Sequence, residues 1–233
     1  MFPLKDNIPL ARLPLVTIAL VAINVIVYLL EIRHGGSFFG GPTDNVAVHY
    51  GAIPDDLDHG HRLATVLTSM FLHGSFLHIF GNMLFLAIFG PTVEDRLGRL
   101  RFPVFYLLGG LVALASQVGA GPNSTVPTLG ASGAIAAVLG GYILLYPRAR
   151  ILSLVLIVFF VTIVEVPAVF LLGFWFLEQL YVGLSGLAGG VESSGQGVAY
   201  FAHVGGFVFG LIAVRLFVPR ARPAQTLWTV PGS

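Results

Sequence analysis

Long apolar segments separated by short polar ones dominate this sequence. A transmembrane helix needs about 17–25 predominantly apolar residues. Six segments meet that length, at residues 14–30, 67–89, 102–118, 129–146, 166–182 and 198–218. A further apolar stretch, 151–164, is only 14 residues long, and it could be a re-entrant segment, a buried loop or the start of the fifth span. The pattern predicts an all-α polytopic membrane protein with six transmembrane helices.

The composition agrees with a membrane protein. Of the 233 residues, 56% are hydrophobic and 10% are charged, whereas a soluble domain carries about 25% charged residues. These figures exclude disorder, a coiled coil and a nucleic-acid-binding module, and the net charge of +1 indicates no polyanionic partner. The absence of cysteine excludes disulfides, thiolate nucleophiles and cysteine zinc sites. At this length we expect one membrane domain, 1–233.

The positions of Lys and Arg predict the orientation, because these residues concentrate on the cytoplasmic side of a membrane. With six spans and a cytoplasmic N-terminus, ten of the 12 basic residues lie inside and only Arg33 and Arg62 lie outside. A seventh span at 151–164 would move the last three arginines outside, so we predict six spans with both termini cytoplasmic. The first external loop, 31–66, is long, and the last, 183–197, is rich in Gly and Ser and is expected to be mobile.

Polar side chains inside the predicted spans are costly and are therefore candidates for function. They are His73, His78, Asn82, Ser132, Glu178, Gln179 and His203. Spans two, four and six all run from outside to inside. At a rise of 1.5 Å per residue, four of these side chains fall about 5–20 Å below the outer surface. They are His78, Asn82, Ser132 and His203, and they could share one cavity that opens outward.

The helices that carry Ser132 and His203 are rich in small residues, which allow membrane helices to approach closely. Gly206 and Gly210 form a G-x-x-x-G motif one turn after His203, and Gly133 follows Ser132. A serine hydroxyl beside an imidazole forms a nucleophile with its general base. Taken singly, the serine could be a helix cap, the histidine an interhelical hydrogen-bond donor and the motif ordinary packing. Their occurrence together at one depth favours catalysis.

Two other groups of polar residues are weaker candidates for a functional site. His73 and His78 could form a zinc site with His203, but an i, i+5 pair lies about 140° apart around a helix and no carboxylate or cysteine accompanies it. Glu178 could be the acid of a triad, but it lies near mid-membrane on a different helix. We therefore predict a Ser–His dyad without an acid, no metal and no cofactor, and we interpret Glu178 as a packing residue.

Four motifs in order resemble those of the rhomboid intramembrane serine proteases. They are Thr-Ser-Met-Phe-Leu-His-Gly-Ser-Phe-Leu-His-Ile-Phe-Gly-Asn at 68–82, Val-Glu-Asp-Arg-Leu-Gly at 93–98, Gly-Ala-Ser-Gly at 130–133 and Ala-His-Val-Gly-Gly at 202–206. The resemblance covers 14–218. It implies a six-helix bundle with a watery cavity that opens outward, in which Ser132 is the nucleophile and His203 the general base.

The resemblance also implies roles for the residues around the dyad. His78, Asn82 and the backbone N–H of Ser132 would form the oxyanion hole. The remaining matched positions would be structural or supporting ones, with Glu94 and Arg96 as a polar lock at the inner end of span two: His73, Glu94, Arg96, Gly130, Gly133, Gly206 and Gly210. The fifth helix and the loop after it resemble the substrate gate and cap of the family.

Two positions depart from the family pattern. Many members have an aromatic residue four positions after the serine, where it packs on the catalytic imidazole, and this chain has Ala136. Members also often carry Trp-Arg shortly before the first motif. Here Ala64 and Thr65 take those places, with His61 and Arg62 one turn earlier.

The sequence thus predicts an endopeptidase that cleaves single-span membrane proteins, taken from the lipid bilayer, near their extracytoplasmic end. We expect a prokaryotic plasma membrane as its location. One alternative is a non-catalytic relative that binds or escorts membrane proteins, which the presence of Ser132 and His203 argues against. Another is a small transporter, but spans four and six become apolar and Gly-rich toward the inner face.

Overall fold

The computed structural model describes residues 2–157, 160–188 and 199–219. The long helices of this part are α1 (Leu15–Arg33), α5 (Phe76–Leu97), α6 (Arg101–Ala120), α7 (Ser132–Leu145), α8 (Ala168–Ala188) and α9 (Tyr200–Phe217). Between α1 and α5 lie three short helices and a 3-10 turn: α2 (Asp44–Tyr50), α3 (Pro54–Asp58), α4 (Thr65–Thr68) and Ser69–Phe71. The predicted Gly- and Ser-rich loop, 183–197, is wrong over 183–188, which belong to α8; the rest of it and the last two arginines lie outside the described residues.

Five of the described helices, α1, α5, α6, α8 and α9, are long and apolar enough to cross a membrane, judged by length and composition alone. The fourth predicted span, 129–146, is the shorter apolar helix α7, whose 14 residues extend about 21 Å. The second span begins at Phe76, nine residues later than predicted. Ser75 caps that helix by accepting a hydrogen bond from the His78 N–H (3.2 Å), whereas residues 65–71 form α4 and the 3-10 turn.

Helix α7 occupies the centre of the described bundle. Every residue from Gly133 to Tyr142 is buried, and α5, α6, α8 and α9 all contact this helix. A helix that is apolar around its whole circumference is buried on all sides. Helix α7 is therefore enclosed from its second residue to Tyr142, and its first residue, Ser132, is half-buried.

The stretch that contains 151–164 forms two paired strands, so its interpretation as a re-entrant segment or a buried loop is wrong. As a lead-in to the fifth span it ends directly before α8. Strands β2 (Arg150–Ile157) and β3 (Phe160–Pro167) pair antiparallel, and β1 (Phe2–Asp6) adds to β2 to give the order β1-β2-β3. Many of these residues are Val, Ile or Thr, whose branched side chains favour strands. The described fold is thus mostly helical rather than all-α.

Asp6 attaches the sheet to the helices. Its carboxylate accepts hydrogen bonds from the hydroxyls of Thr92 (2.6 Å) and Tyr142 (3.0 Å). Thr92 lies near the C-terminal end of α5 and Tyr142 near that of α7. Strand β1 therefore lies at the end of the bundle opposite to Ser132, together with the paired strands that follow α7.

Glu94 accepts hydrogen bonds from the free backbone N–H groups at the N-terminus of α1. The helix follows Pro14, which offers no side-chain cap, and the Glu94 carboxylate accepts hydrogen bonds from the backbone N–H groups of Val16 (3.0 Å) and Thr17 (2.7 Å) and from the Thr17 hydroxyl (2.7 Å). An anion at a helix N-terminus is favourable because it pairs with free N–H groups and with the helix dipole. Arg96 is exposed and forms no hydrogen bond or ion pair with any described residue.

Arg62 holds the first loop together. Its guanidinium donates to the Asp56 carboxylate (3.0 Å) and to the backbone carbonyls of Val48 and His49. These carbonyls lie at the C-terminal end of α2, where a cation is favoured, and Asp56 belongs to α3. One side chain thus connects α2 and α3 in a chain that lacks the Trp-Arg pair of the family.

Candidate active site

Ser132 is the first residue of α7 and is half-buried. The turn before it depends on Gly130, whose φ of +121° is open to glycine but strained for other residues. The Gly130 N–H donates to the Ser69 carbonyl (2.8 Å), which attaches this turn to the 3-10 segment. The sequence Gly-Ala-Ser-Gly thereby turns into the helix with Ser132 at its tip.

His203 on α9 meets Ser132 directly. Its Nε2 lies 2.7 Å from Oγ of Ser132, although the two residues are 71 positions apart. The approach depends on small residues, as predicted. A Cβ atom on Gly206 would lie closer than 3.0 Å to the Gly133 carbonyl oxygen, and one on Gly210 equally close to that of Ala137.

The other imidazole nitrogen is bound by Gln179 of α8. Nδ1 of His203 lies 2.6 Å from Oε1 of the buried Gln179. Because an amide oxygen can only accept, Nδ1 carries the proton, and Nε2 has the lone pair that accepts the Ser132 hydroxyl proton. Sequence reasoning noted Gln179 as a polar residue within a span but missed this contact. The adjacent Glu178 is exposed.

Trp175 packs on the imidazole from the same helix. The ring centroids of Trp175 and His203 are 5.6 Å apart and the rings are tilted by 39°. Trp175 lies one turn before Gln179, so both side chains share the face of α8 that meets His203. This indole provides an aromatic contact in a chain that has Ala136 after the serine. Ala136 is fully buried, and a Cβ on Gly206 would lie 3.3 Å from its Cβ, so a ring has no room there.

His78 and Asn82 lie one turn apart on α5, beside the turn that precedes Ser132. A Cβ atom on Gly130 would lie 2.8 Å from Nε2 of His78 and 3.6 Å from Nδ2 of Asn82. Nδ2 of Asn82 is buried and has no hydrogen-bond partner among the residues that the structure describes. The first N–H groups of a helix also lack an intrahelical acceptor. Side chains of α5 therefore lie beside the turn that leads into Ser132.

His73 packs against the imidazole ring of His78. It is completely buried, and its ring contacts that of His78 edge-on, with centroids 5.2 Å apart and an interplanar angle of 69°. Neither ring nitrogen has a hydrogen-bond partner within the described part of the chain. In that same part, no group of three or more His, Asp or Glu side chains is arranged to hold a metal ion.

The described helices are apolar and enclose a serine–histidine pair, which is typical of a membrane protein with a polar site among its helices. Comparison with known families agrees with this class. The Rhomboid domain matches residues 60–220 of this chain, which is more than half of it. The chain belongs to the rhomboid family, and it is an integral, multi-pass membrane protein.

Several curated relatives share this similarity. Rhomboid protein 1, mitochondrial, of Saccharomyces cerevisiae is 32% identical over 152 residues, which are 64% of this chain and 40% of the relative. RHOMBOID-like protein 12, mitochondrial, of Arabidopsis thaliana is 32% identical over 161 residues, 60% of this chain and 46% of the relative. Inactive RHOMBOID-like protein 8 of the same plant is 33% identical over 73 residues, 31% of this chain and 21% of the relative.

This chain spans less than half the length of each of these relatives. All three come from eukaryotes, and two have names that include the word mitochondrial. They do not support the prediction of a prokaryotic plasma membrane.

Proposed function

We propose that this protein is an intramembrane serine endopeptidase that cleaves transmembrane segments with the dyad Ser132 and His203. The observation that carries the proposal is the 2.7 Å distance between Oγ of Ser132 and Nε2 of His203, together with the protonation of Nδ1 that the Gln179 amide oxygen requires. A nucleophile within hydrogen-bond reach of an oriented base is the arrangement that acyl transfer needs. Membership of the rhomboid family supports the same reaction.

In the proposed reaction His203 removes the Ser132 hydroxyl proton at Nε2 while Oγ attacks the scissile carbonyl carbon. The carbonyl oxygen becomes an oxyanion, which accepts hydrogen bonds from the Ser132 backbone N–H, His78 and Asn82. Collapse of this intermediate breaks the C–N bond, and the leaving amine takes the proton from His203. Water then attacks the acyl-enzyme by the same route, with His203 as base, and releases Ser132 and the carboxylic acid.

We further propose a single six-helix membrane domain that includes the short α7 as its fourth helix. Both termini would lie in the cytoplasm. The contacts of Asp6 support this orientation, because they join β1 to the same end of the bundle as the C-terminal ends of α5 and α7. Arg99, Arg101, Arg148 and Arg150 flank helices at that end, as expected for the cytoplasmic side. Ser132 at the other end of α7 then faces the extracytoplasmic half of the membrane.

The substrates that fit this placement are single-span proteins that enter from the bilayer. A helix buries its carbonyls in its own hydrogen bonds, so a substrate segment must unwind before Ser132 can attack. Segments with helix-weakening Gly, Pro or polar residues meet that need. We also expect a small residue at the cleaved bond.

A non-catalytic role in binding or escorting membrane proteins is the second candidate, because one relative carries the word inactive in its name. The hydrogen-bonded Ser132 and His203 favour the protease.

Labelling with a fluorophosphonate serine probe tests the proposal. The purified wild-type protein should be labelled at Ser132 and should cleave a reporter transmembrane substrate in proteoliposomes. Ser132→Ala should lose both activities. Ser185→Ala is the matched control, because Ser185 is an exposed serine of α8 whose hydroxyl donates to the Tyr181 carbonyl. Equal labelling and cleavage by the wild type and Ser132→Ala would contradict the serine mechanism.

A further inference from the structure

His203 makes contacts on three sides, and two of these come from α8. Gln179 binds Nδ1 and Trp175 packs on the ring, whereas Ser132 of α7 binds Nε2. One helical turn of α8 thus contacts both the edge and the face of the imidazole. The reaction above takes from α8 only the protonation of Nδ1 and does not say what Gln179 does for the rate.

The base depends on which of its nitrogens carries the proton. A neutral imidazole has its proton on either nitrogen, and only the form with a lone pair on Nε2 can accept the Ser132 proton. Among the described residues, Gln179 provides the only hydrogen bond to Nδ1. Both side chains are buried, with 7% and 9% of their surface exposed, so a lost partner at Nδ1 would leave a buried donor unsatisfied.

The surroundings of Gln179 suit this role. Helix α8 packs against α9 beside the site through the stacked rings of Phe176 and Phe207, whose centroids are 4.6 Å apart. This contact fixes the rotation of α8 about its axis, so Gln179 and Trp175 turn inward while Glu178 is exposed. A neutral amide also accepts from Nδ1 without placing a charge in an apolar region, where an unpaired charge is costly.

We propose that Gln179 is a positioning residue for the catalytic base: its side-chain oxygen holds His203 as the Nδ1–H tautomer with Nε2 directed at Ser132. The proposal rests on the proposed protease function and extends it to a third side chain. It also makes the competence of His203 depend on the packing of α8 against α9.

The test compares two substitutions at one position. Gln179→Met keeps the length of the side chain but removes the acceptor, whereas Gln179→Glu keeps an oxygen at the same distance. Glu178→Met is the control, because it places the same methionine at the adjacent, exposed position. Each protein is reconstituted in proteoliposomes, where kcat and KM for a reporter transmembrane substrate and the rate of fluorophosphonate labelling are measured. Thermal unfolding in detergent checks the fold.

Gln179→Met should lower kcat by about ten- to a hundredfold, the size expected for an unsatisfied buried donor, with KM nearly unchanged; the same penalty should lower the melting temperature. Labelling of Ser132 should slow in parallel, because it needs the same base. Gln179→Glu keeps the acceptor but places a carboxylate in an apolar region, so it should retain more activity than Gln179→Met and less than the wild type. Glu178→Met should match the wild type.

Activity of Gln179→Met equal to the wild type would overturn the proposal, as would equal losses in Gln179→Met and Gln179→Glu with the fold intact. If Gln179→Met unfolds at a lower temperature, Gln179→Asn decides, since it keeps the amide but withdraws the oxygen by one methylene. If Gln179→Asn were then as active as Gln179→Glu, this result would count against a positioning role for Gln179. The dyad is tested separately, because a wild type that is not labelled at Ser132 contradicts the protease function itself.

Discussion

Gly206 of α9 lies against the backbone of Gly133 in α7, so close that a Cβ atom on Gly206 would come within 3.0 Å of the Gly133 carbonyl oxygen. Gly206→Ala must therefore separate the two helices, and we expect it to destabilise the protein by about 1–3 kcal/mol, as overpacked cores do. Its activity should fall as well, because the dyad spans the same two helices. Thermal unfolding in detergent measures the first effect and cleavage of the reporter substrate the second.

The control for this change is Gly173→Ala in α8, where a Cβ would have no neighbour within 4 Å. Both substitutions put alanine into a helix, so the difference between them isolates the contact between α7 and α9. Equal stability of the two variants would mean that the close approach is not needed.

Ser132 and His203 should behave as one unit. Ser132→Ala and His203→Ala should each abolish cleavage while leaving a folded protein, and the double variant should be no worse than either single one, because both remove the same step. Cleavage and unfolding are measured on all three proteins. We expect EDTA to leave the activity unchanged. Additive losses in the double variant, or inactivation by the chelator, would argue for a different mechanism.

His78 and Asn82 should act mainly on the transition state. Loss of one oxyanion donor typically lowers kcat by ~10²–10³, so His78→Ala and Asn82→Ala should slow turnover strongly with little change in KM. Steady-state kinetics in proteoliposomes distinguish the two parameters. Asn45→Ala, at an exposed position of α2, is the control and should match the wild type. A rise in KM alone would instead assign these residues to substrate binding.

The aromatic contact to the imidazole should be supplied from α8 and not from α7. Trp175→Phe keeps a ring beside His203 and should retain most of the activity, whereas Trp175→Ala should lower kcat by about 2- to 13-fold, since an aromatic contact contributes about 0.5–1.5 kcal/mol. Ala136→Phe should destabilise the protein, because Ala136 is packed against α9. Kinetics and thermal unfolding test both statements. A more stable Ala136→Phe would show that space exists there.

Arg62 should order the first loop without contributing much to global stability. Its ion pair with Asp56 is about 30% exposed, at 31% and 29% for the two side chains, and exposed pairs contribute at most about 1 kcal/mol. Arg62→Ala should therefore leave the unfolding temperature almost unchanged but speed proteolysis within residues 31–66. Arg33→Ala, at the exposed last residue of α1, is the control. Equal rates of proteolysis for Arg62→Ala and Arg33→Ala would contradict the proposed ordering of the loop by Arg62.

The helices could be predicted from the sequence because their signals are local. Ser132 and His203 were placed at one depth from the direction of their spans and the rise of a helix, and the geometry agrees. The contact of Gln179 with His203 depends on the rotation of α8 about its own axis. A helix that is apolar on most sides does not reveal that rotation, so Glu178 and Gln179 looked equivalent.

The sheet could not be predicted for a different reason. An apolar run of 14 residues is ambiguous between a strand pair and part of a helix, and nothing near Ile151 indicates that its partner is Asp6, near the start of the sequence. The acceptor for the first turn of α1 is also far away in the sequence, since Glu94 lies 77 positions after Thr17.

Pairing of Phe2 with Leu154 also has a consequence for the order of assembly. The two residues are about 150 positions apart, and contacts between distant residues form late, because a long segment must first be ordered to bring them together. During synthesis β1 leaves the ribosome before its partner, because β2 follows α7 in the sequence. The N-terminal strand therefore joins a bundle whose first helices have already been synthesised, and it closes the structure only once α5 and α7 are in place.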